Sequence, residues 1–448
     1  MGIKNQAEFL CDRDYDVVVI GGGIAGVIAA SAAARAGSRT LLVETSTFLG
    51  GVVTMGPLEA LMTQYDASRQ VIRGMAQELF DDLSALDRRI KNTDDTTGYC
   101  SKIIPYDAET MKFALENLLA KYHVTVLTEA SLTSVKLKQR RIQTVKITTR
   151  AGAMSIHCRA VIDCSGSGYC AFLAGNDVMT GDQDGQTQPV TVLAKIGGVD
   201  CVKLRQYVQD HSEDFKTFGK EIDLKAQYLH LWGFSGLLQE GFSTGALSLQ
   251  RNEIHMMETV RSGEVVVNYS RVTANPLDPF DMSEAQRTGV RQIYEFYEWI
   301  RRKIPAFKNS YIAHTGYVGV RESGRILGRK ILTRDDVLNS GKCDSSVAMG
   351  SFPIDIHQSG NGMKFERVLQ GYQIPAECLH AQKIDNLFMG GRCISSDFEA
   401  NASCRISITC MATGHAAGVM AAVYAKDAEN FSYDRVQKSL LQQNAILR

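Results

Sequence analysis

The run Gly21-Gly22-Gly23-Ile24-Ala25-Gly26 fits the spacing GxGxxG, and each position has a physical use where a diphosphate must be held. Gly21 permits a tight turn. Gly23 lets the main chain approach the phosphates with no Cβ in the way, and Gly26 lets a helix lie close on a sheet. Ile24 and Ala25 open that helix, whose free N–H groups and partial positive charge favour an anion at its start. Glu44 follows at the distance where a carboxylate accepts hydrogen bonds from ribose hydroxyls and disfavours a 2′-phosphate. In the second half of the chain, Arg321, Arg325, Arg405 and His357 are the candidates for catalysis. Guanidinium groups at Arg321 and Arg325 offer a bidentate fork to a substrate carboxylate; an internal ion-pair network with Glu322 or Glu366 would use the same residues. His357 is the candidate general acid or base, since imidazole titrates near neutral pH, with a buried structural histidine as the other reading.

The elements that must position these groups are legible at the start of the chain. Asp16-Val17-Val18-Val19-Ile20 reads as a buried parallel strand, the alanine-rich stretch Ala25 to Ala36 as a helix, and Gly37 as its stop. Thr40-Leu41-Leu42-Val43 is a second strand that delivers Glu44. At 448 residues the chain is too long for one ordinary core, so two structural domains are expected. An apolar fraction of 44% with 22% charged residues is that of a globular protein, neither disordered nor membrane-embedded. Lys+Arg and Asp+Glu balance at 49 each, leaving no global field to recruit nucleic acid or anionic lipid; a small-molecule partner is expected. Eleven cysteines form no CxxC, no Cys/His cluster and no paired framework, which predicts a reducing compartment and no iron–sulfur, zinc or other metal site. The first residues, MGIKNQAEFLCDRDYD, lack the basic and apolar regions of a signal peptide, and Gln6 stands where a myristoylation motif has Ser or Thr. No apolar run in the sequence approaches the ~18 residues of a membrane span. A cytoplasmic location follows as an expectation.

Three further segments carry a resemblance. Thr45-Ser46-Thr47-Phe48-Leu49-Gly50-Gly51-Val52 resembles the glycine pair by which flavoproteins of the glutathione-reductase structural superfamily hold ribose and pyrophosphate. Ala160-Val161-Ile162-Asp163-Cys164-Ser165-Gly166-Ser167-Gly168 is similar to a strand and turn, "DATGDGD", whose backbone closes over FAD phosphates; Ser167 and Tyr169 depart from it where acids are usual. Asp385-Asn386-Leu387-Phe388-Met389-Gly390-Gly391-Arg392, then Arg405 and Met411-Ala412-Thr413-Gly414, is similar to a C-terminal "DNLLVAGR…R…CMATGQAAG" signature. The family resembled is the FAD-dependent oxidoreductase family, which includes the flavin part of heterodisulfide reductase subunits. The resemblance implies FAD as cofactor, with Gly21, Gly23, Ile24, Ala25, Gly26, Glu44, Thr45, Gly50, Gly51, Val52, Leu132, Ser165, Gly166, Gly391, Arg392, Met411, Ala412 and Thr413 around it. Leu132 lies just beyond the segment from Pro105 to Leu127 that is similar to the one reaching the adenine. A small-residue helix starting at about Thr413 would face the flavin. No His or Cys follows Gly50-Gly51, so the flavin is expected to be bound without a covalent link.

From Val190 to Gly371 the nucleotide signals stop. The aromatics Tyr294, Phe296, Tyr297 and Trp299, within a helical stretch from Glu284 to Lys303, read as packing residues. Gly319 to Ile326 and Ser351 to His357 resemble the family's "RESRRI" and "YPIDIH" elements, which is where Arg321, Arg325 and His357 fall. Cys393 and Cys404 could be redox-active or small buried hydrophobes. The expected architecture is α/β: a discontinuous, Rossmann-like three-layer FAD domain (14–189 and 372–448) with an inserted α+β substrate domain (190–371). The expected reaction is hydride transfer between a polar small molecule, such as a carboxylate, and flavin N5, with an external electron acceptor or donor. A flavin monooxygenase and an electron-transfer subunit working with a partner protein are the alternatives.

Overall fold

A computed structural model describes residues 13–67, 69–358 and 362–448. The signal-peptide and myristoylation readings rest on residues 1–12, outside this range.

Arg13–Ile20 is the first strand, and its valines are fully buried, as expected of a strand covered on both faces. It runs parallel to Thr40–Val43 on one side and to Gly152–Asp163 on the other. Thr125–Leu127 extends the sheet at one edge, and Leu387–Met389, from near the other end of the chain, at the other. The sheet is therefore assembled from distant parts of the sequence. The N-terminal half of Gly152–Asp163 continues into an antiparallel meander with Arg141–Thr149 and Ser131–Lys138.

Two small-residue helices cover this sheet. The nucleotide helix, Ile24–Arg35, and the C-terminal helix, Ser407–Lys426, touch through their backbones. A Cβ on Gly414 or on Gly418 would stand 2.3 Å from the carbonyl oxygen of Ala25 or of Ala29 respectively, so neither position tolerates a side chain. Contrary to the expectation that no apolar stretch approaches the length of a membrane span, Ser407–Lys426 is long and apolar enough to cross one; 89% of its apolar window is buried inside the protein, as in a core helix.

A second, antiparallel sheet is ordered His230–Gly233, Ile254–Glu258, Val265–Asn268, Ala194–Gly197, Tyr311–Thr315. Its core gathers residues from Val190 to Val318, whereas Ile326 to Ile356, expected with the same unit, pack in the first core. The helix Pro279–Lys303 seals it, capped by Asp278, with proline at its first position, where no N–H is missed. Phe296, Tyr297 and Trp299 are buried in that core as expected, but Tyr294 is 53% exposed, because the helix turns it to the solvent face.

Candidate functional site

The glycine turn is built as its spacing predicts. Gly21 has φ +98°, and a Cβ there would stand 2.5 Å from the Cys164 carbonyl oxygen. At Gly26 a Cβ would stand 1.8 Å from the Gly21 carbonyl oxygen, so the helix can seat only with glycine. Gly23 differs: it caps the nucleotide helix, and nothing lies within 4 Å of where its Cβ would be. Gly50 joins the turn by donating its N–H to the Gly22 carbonyl at 2.8 Å, and Gly51 follows at φ +59°. Val52 begins the short helix that leaves it. Gly391 closes in from the other end of the chain, its missing Cβ position 2.9 Å from the Ala25 methyl.

The Glu44 carboxylate accepts from Gly22 N–H at 2.6 Å and Ser46 N–H at 2.7 Å, and Thr45 donates its hydroxyl to it at 3.1 Å. The Ser46 hydroxyl donates to Oε1 as well, at 2.7 Å, so Oε2, with its single bond from Gly22, is the oxygen with a lone pair left for a ribose hydroxyl. Glu129 and Ala130 donate their amides to the Ser46 and Glu44 carbonyls, and Leu132 follows, buried in the meander. Ser165 bonds Asp163, and the Gly166 carbonyl accepts from Arg392 Nε at 2.8 Å. Both helices at this junction start without a side-chain cap and without an acid in their first turn. Open space at Gly23, uncapped helix starts and a carboxylate beyond the second strand fit FAD as an anionic dinucleotide.

The start of the C-terminal helix corrects one expectation. It begins at Ser407, not near Thr413. Its cap position is Ile406, which carries none of the side chains that mark a helix start in sequence. Met411, Ala412 and Thr413 lie within the helix, and the Thr413 hydroxyl accepts the Gly391 N–H at 3.0 Å. Thr413 thus holds the glycine segment, while Ile406 and Ser407 face a cleft.

That cleft, of about 190 Å³, lies between the two sheets, with Val52, Arg392 and Ser407 on one side and Leu193, Trp232 and Asn268 on the other. Arg321, His357 and Arg405 all line it. Asp355 joins them, because it sits two residues before His357 on the strand Ile354–His357 and so shares its face. His357 Nε2 lies 3.1 Å from Asp355 Oδ2, and Arg271 Nη2 lies 3.1 Å from His357 Nδ1. Arg405 Nη2 donates to the Asp355 carbonyl at 3.1 Å. Burial, reinforced by Arg321, pushes the His357 imidazole down to about 3, so it is neutral at ordinary pH. Against the effect of burial, His357, Arg405 and Arg321 hold the Asp355 carboxyl below its usual range. Arg321 donates to the Pro189 carbonyl at 2.5 Å; burial and the nearby Arg405 and Arg271 lower its affinity for its own proton.

Arg325 is not part of this group. It is buried against the Glu322 carboxylate and donates to the carbonyls of Ser396 at 3.0 Å and Gly181 at 2.9 Å. The internal network is the reading the structure realises for it, and Arg334 takes the second expected carboxylate, Glu366. Cys393 is buried, its thiol directed to main-chain carbonyls, and burial pushes the Cys404 thiol up to about 12. Neither lines the cleft.

The sequence reading missed one wall of the site. Tyr99, Trp232 and His255 line it, Trp232 stacked on His255 with ring centroids 4.5 Å apart. Behind them His230 meets both His255 and Asp95. Asp355 had a signal, its two-residue spacing from His357. Asp95, His230 and His255 had none, being brought together only by the second sheet and the loop before it.

The model of the family described as FAD dependent oxidoreductase matches residues 16–443. Among solved structures, the chain is similar to a geranylgeranyl bacteriochlorophyll reductase-like protein from Thermoplasma acidophilum, at 14% identity and TM-score 0.51 over 97% of this chain and 85% of that one. It is similar also to a flavin-dependent brominase, Bmp2, at 11% identity and TM-score 0.51 over 96% of this chain and 84% of that one. At such identities these likenesses speak to the fold, and the fold agrees with the glycine turn, the joined helix starts and the family match: the chain is an FAD-dependent enzyme and belongs to the FAD dependent oxidoreductase family.

Proposed function

We propose that this oxidoreductase exchanges a hydride between FAD and a polar, anionic small molecule held in the cleft between the two sheets. FAD, when bound, supplies the two-electron chemistry at N5 of its ring. Gly21 to Gly26, Glu44, Gly50-Gly51 and Gly391 would hold it, and the start of Ser407–Lys426 would place a positive helix end beside it.

The observation that carries the choice of substrate is the charge of the cleft. Arg321, Arg392 and Arg405 line it, Arg271 stands behind His357, and among the described residues Asp355 is the one carboxylate on the cleft wall. Arg405 Nε is buried with no hydrogen-bond partner among the described residues. A buried guanidinium left short of acceptors favours an anion that completes its fork. Carboxylate or phosphate on the substrate would be gripped there, and the aromatic wall of Tyr99, Trp232 and Phe352 would exclude water from the reacting carbon. A separate electron partner and a cytoplasmic setting belong to the same proposal. So does placement in the glutathione-reductase structural superfamily, supported by the parallel sheet with its appended meander.

The test is anaerobic mixing of the flavin-loaded protein with paired donors, each hydroxy or amino acid beside its neutral amide or ester. Bleaching of the flavin band by acids and not by their neutral partners is the expected result. Equal bleaching by both, or by neither, would remove the anionic-substrate reading.

A further inference from the structure

We propose that His255 is the proton acceptor of this site, with His230 and Asp95 as positioning residues that set its tautomer; the idea rests on the hydride-transfer reading above. Asp95 is buried, and its carboxylate accepts from Thr97 N–H at 3.1 Å and Cys100 N–H at 2.9 Å, so it acts as an anion. His230 Nδ1 lies 2.5 Å from Asp95 Oδ1, which requires the proton on Nδ1. In a neutral imidazole the other nitrogen then carries a lone pair. That nitrogen, His230 Nε2, meets His255 Nε2, and the contact is a hydrogen bond only if His255 carries its proton on Nε2. His255 Nδ1 is left with a lone pair and has no hydrogen-bond partner among the described residues, on a side chain that lines the cleft.

The strands explain why the three groups meet. Trp232 lies directly opposite His255 in the antiparallel pair of His230–Gly233 and Ile254–Glu258, and His230 is its diagonal neighbour on the same face. Trp232 then stacks on His255 and fixes its ring plane. His357, the histidine singled out from sequence, cannot serve in the same way. Its Nδ1 accepts from Arg271 and its Nε2 donates to Asp355, so both nitrogens are committed.

In the step itself, the hydroxyl or amine proton of the substrate goes to His255 Nδ1 as a C=O or C=N bond forms, and bound FAD would take up the electron pair of the C–H bond that breaks. As Nδ1 gains that proton, the Nε2 proton of His255 passes to His230 Nε2. The positive charge then rests on His230, against the Asp95 carboxylate. The charged and titratable groups around His255 are His230, Asp95, Asp355 and His357, with Tyr99, Arg321, Arg392 and Arg405 also on the cleft wall. Burial holds the His255 imidazole well below its usual range, which keeps it in the base form.

The test has two arms, both on the FAD-loaded protein. Nitrogen-15 NMR of the histidines, without substrate, is expected to show His255 protonated on Nε2 and bare on Nδ1. His230→Gln, whose amide can present either donor or acceptor, is expected to populate the opposite tautomer. His255→Gln is expected to slow flavin reduction by about 10²–10⁴-fold, the range of a lost general base, with flavin occupancy and donor KM near native. A native His255 protonated on Nδ1 overturns the relay whether or not a donor is known, and an unchanged reduction rate in His255→Gln overturns the catalytic role. A protein with the expected tautomer that no anionic donor reduces overturns the hydride-transfer reading and the catalytic role, and leaves the relay geometry standing.

Discussion

Gly23→Val separates cofactor binding from folding, because the structure gives the two different responses. Gly23 has φ −61° and ψ 176°, an extended conformation open to any residue, and no atom lies within 4 Å of its Cβ position. In flavin-free protein the Cβ of the new side chain meets no atom within 4 Å. Restricting the unfolded chain favours the variant by about 0.4–1 kcal/mol. Losing the preference of a helix cap for glycine over aliphatic residues opposes it by about 1 kcal/mol. The two nearly cancel, so thermal unfolding of the flavin-free variant is expected within a few degrees of native. The diphosphate, however, needs the space the side chain takes. Two charge-assisted hydrogen bonds from the helix start, at about 1.5–3 kcal/mol each, would be lost, or about 3–6 kcal/mol in all. That corresponds to roughly 10²- to 10⁴-fold weaker FAD binding, read by fluorescence titration. Gly26→Ala is the contrast. Its Cβ would stand 1.8 Å from the Gly21 carbonyl oxygen, so the helix must lift. Overpacking of this kind costs about 3 kcal/mol or more, and the flavin-free protein itself should melt early. A Gly23→Val protein that binds FAD with native affinity would refute the placement of the diphosphate.

Other outcomes follow from the same geometry. Arg405→Met should raise KM for an anionic donor by about 10- to 100-fold, from one lost charge-assisted contact, without loss of flavin; an unchanged KM removes Arg405 from substrate binding. Arg325→Met leaves Glu322 buried without its cation and should destabilise the fold by about 3–5 kcal/mol in denaturant titration, with donor KM unchanged in the protein that remains folded. A shifted KM would restore Arg325 to the site. Glu59 is buried, and burial, outweighing its ion pair with Lys195, raises its carboxyl from 4.5 to about 7. A raised folded value means the stabilisation is complete below the unfolded value and is lost as pH rises through the folded one, here roughly 3 kcal/mol between about pH 4.5 and 7. Glu59→Gln should flatten the fall of Tm across that window; an unaltered pH dependence would contradict the shift.

The residues of the nucleotide turn declared themselves in the sequence because their work is local. A strand, a glycine turn and a helix are adjacent in the chain, and the glycines are required by contacts within a few residues, as Gly26 against Gly21 shows. Family-like segments further on showed which distant glycines would meet them. The helix start at Ser407 escaped because Ile406 gives no capping signal, and Thr413, which has the right side chain, spends it on Gly391. Arg321 and Arg325 are four positions apart and chemically alike, so nothing in their identity could part them. Only the fold decided that one faces the cleft and the other is neutralised by Glu322. The pairing of Asp95 with His230, 135 positions apart, is likewise a property of tertiary structure alone. Short-range sterics are written in neighbouring residues, whereas the partner of a titratable group is whichever side chain the packing of distant strands leaves beside it.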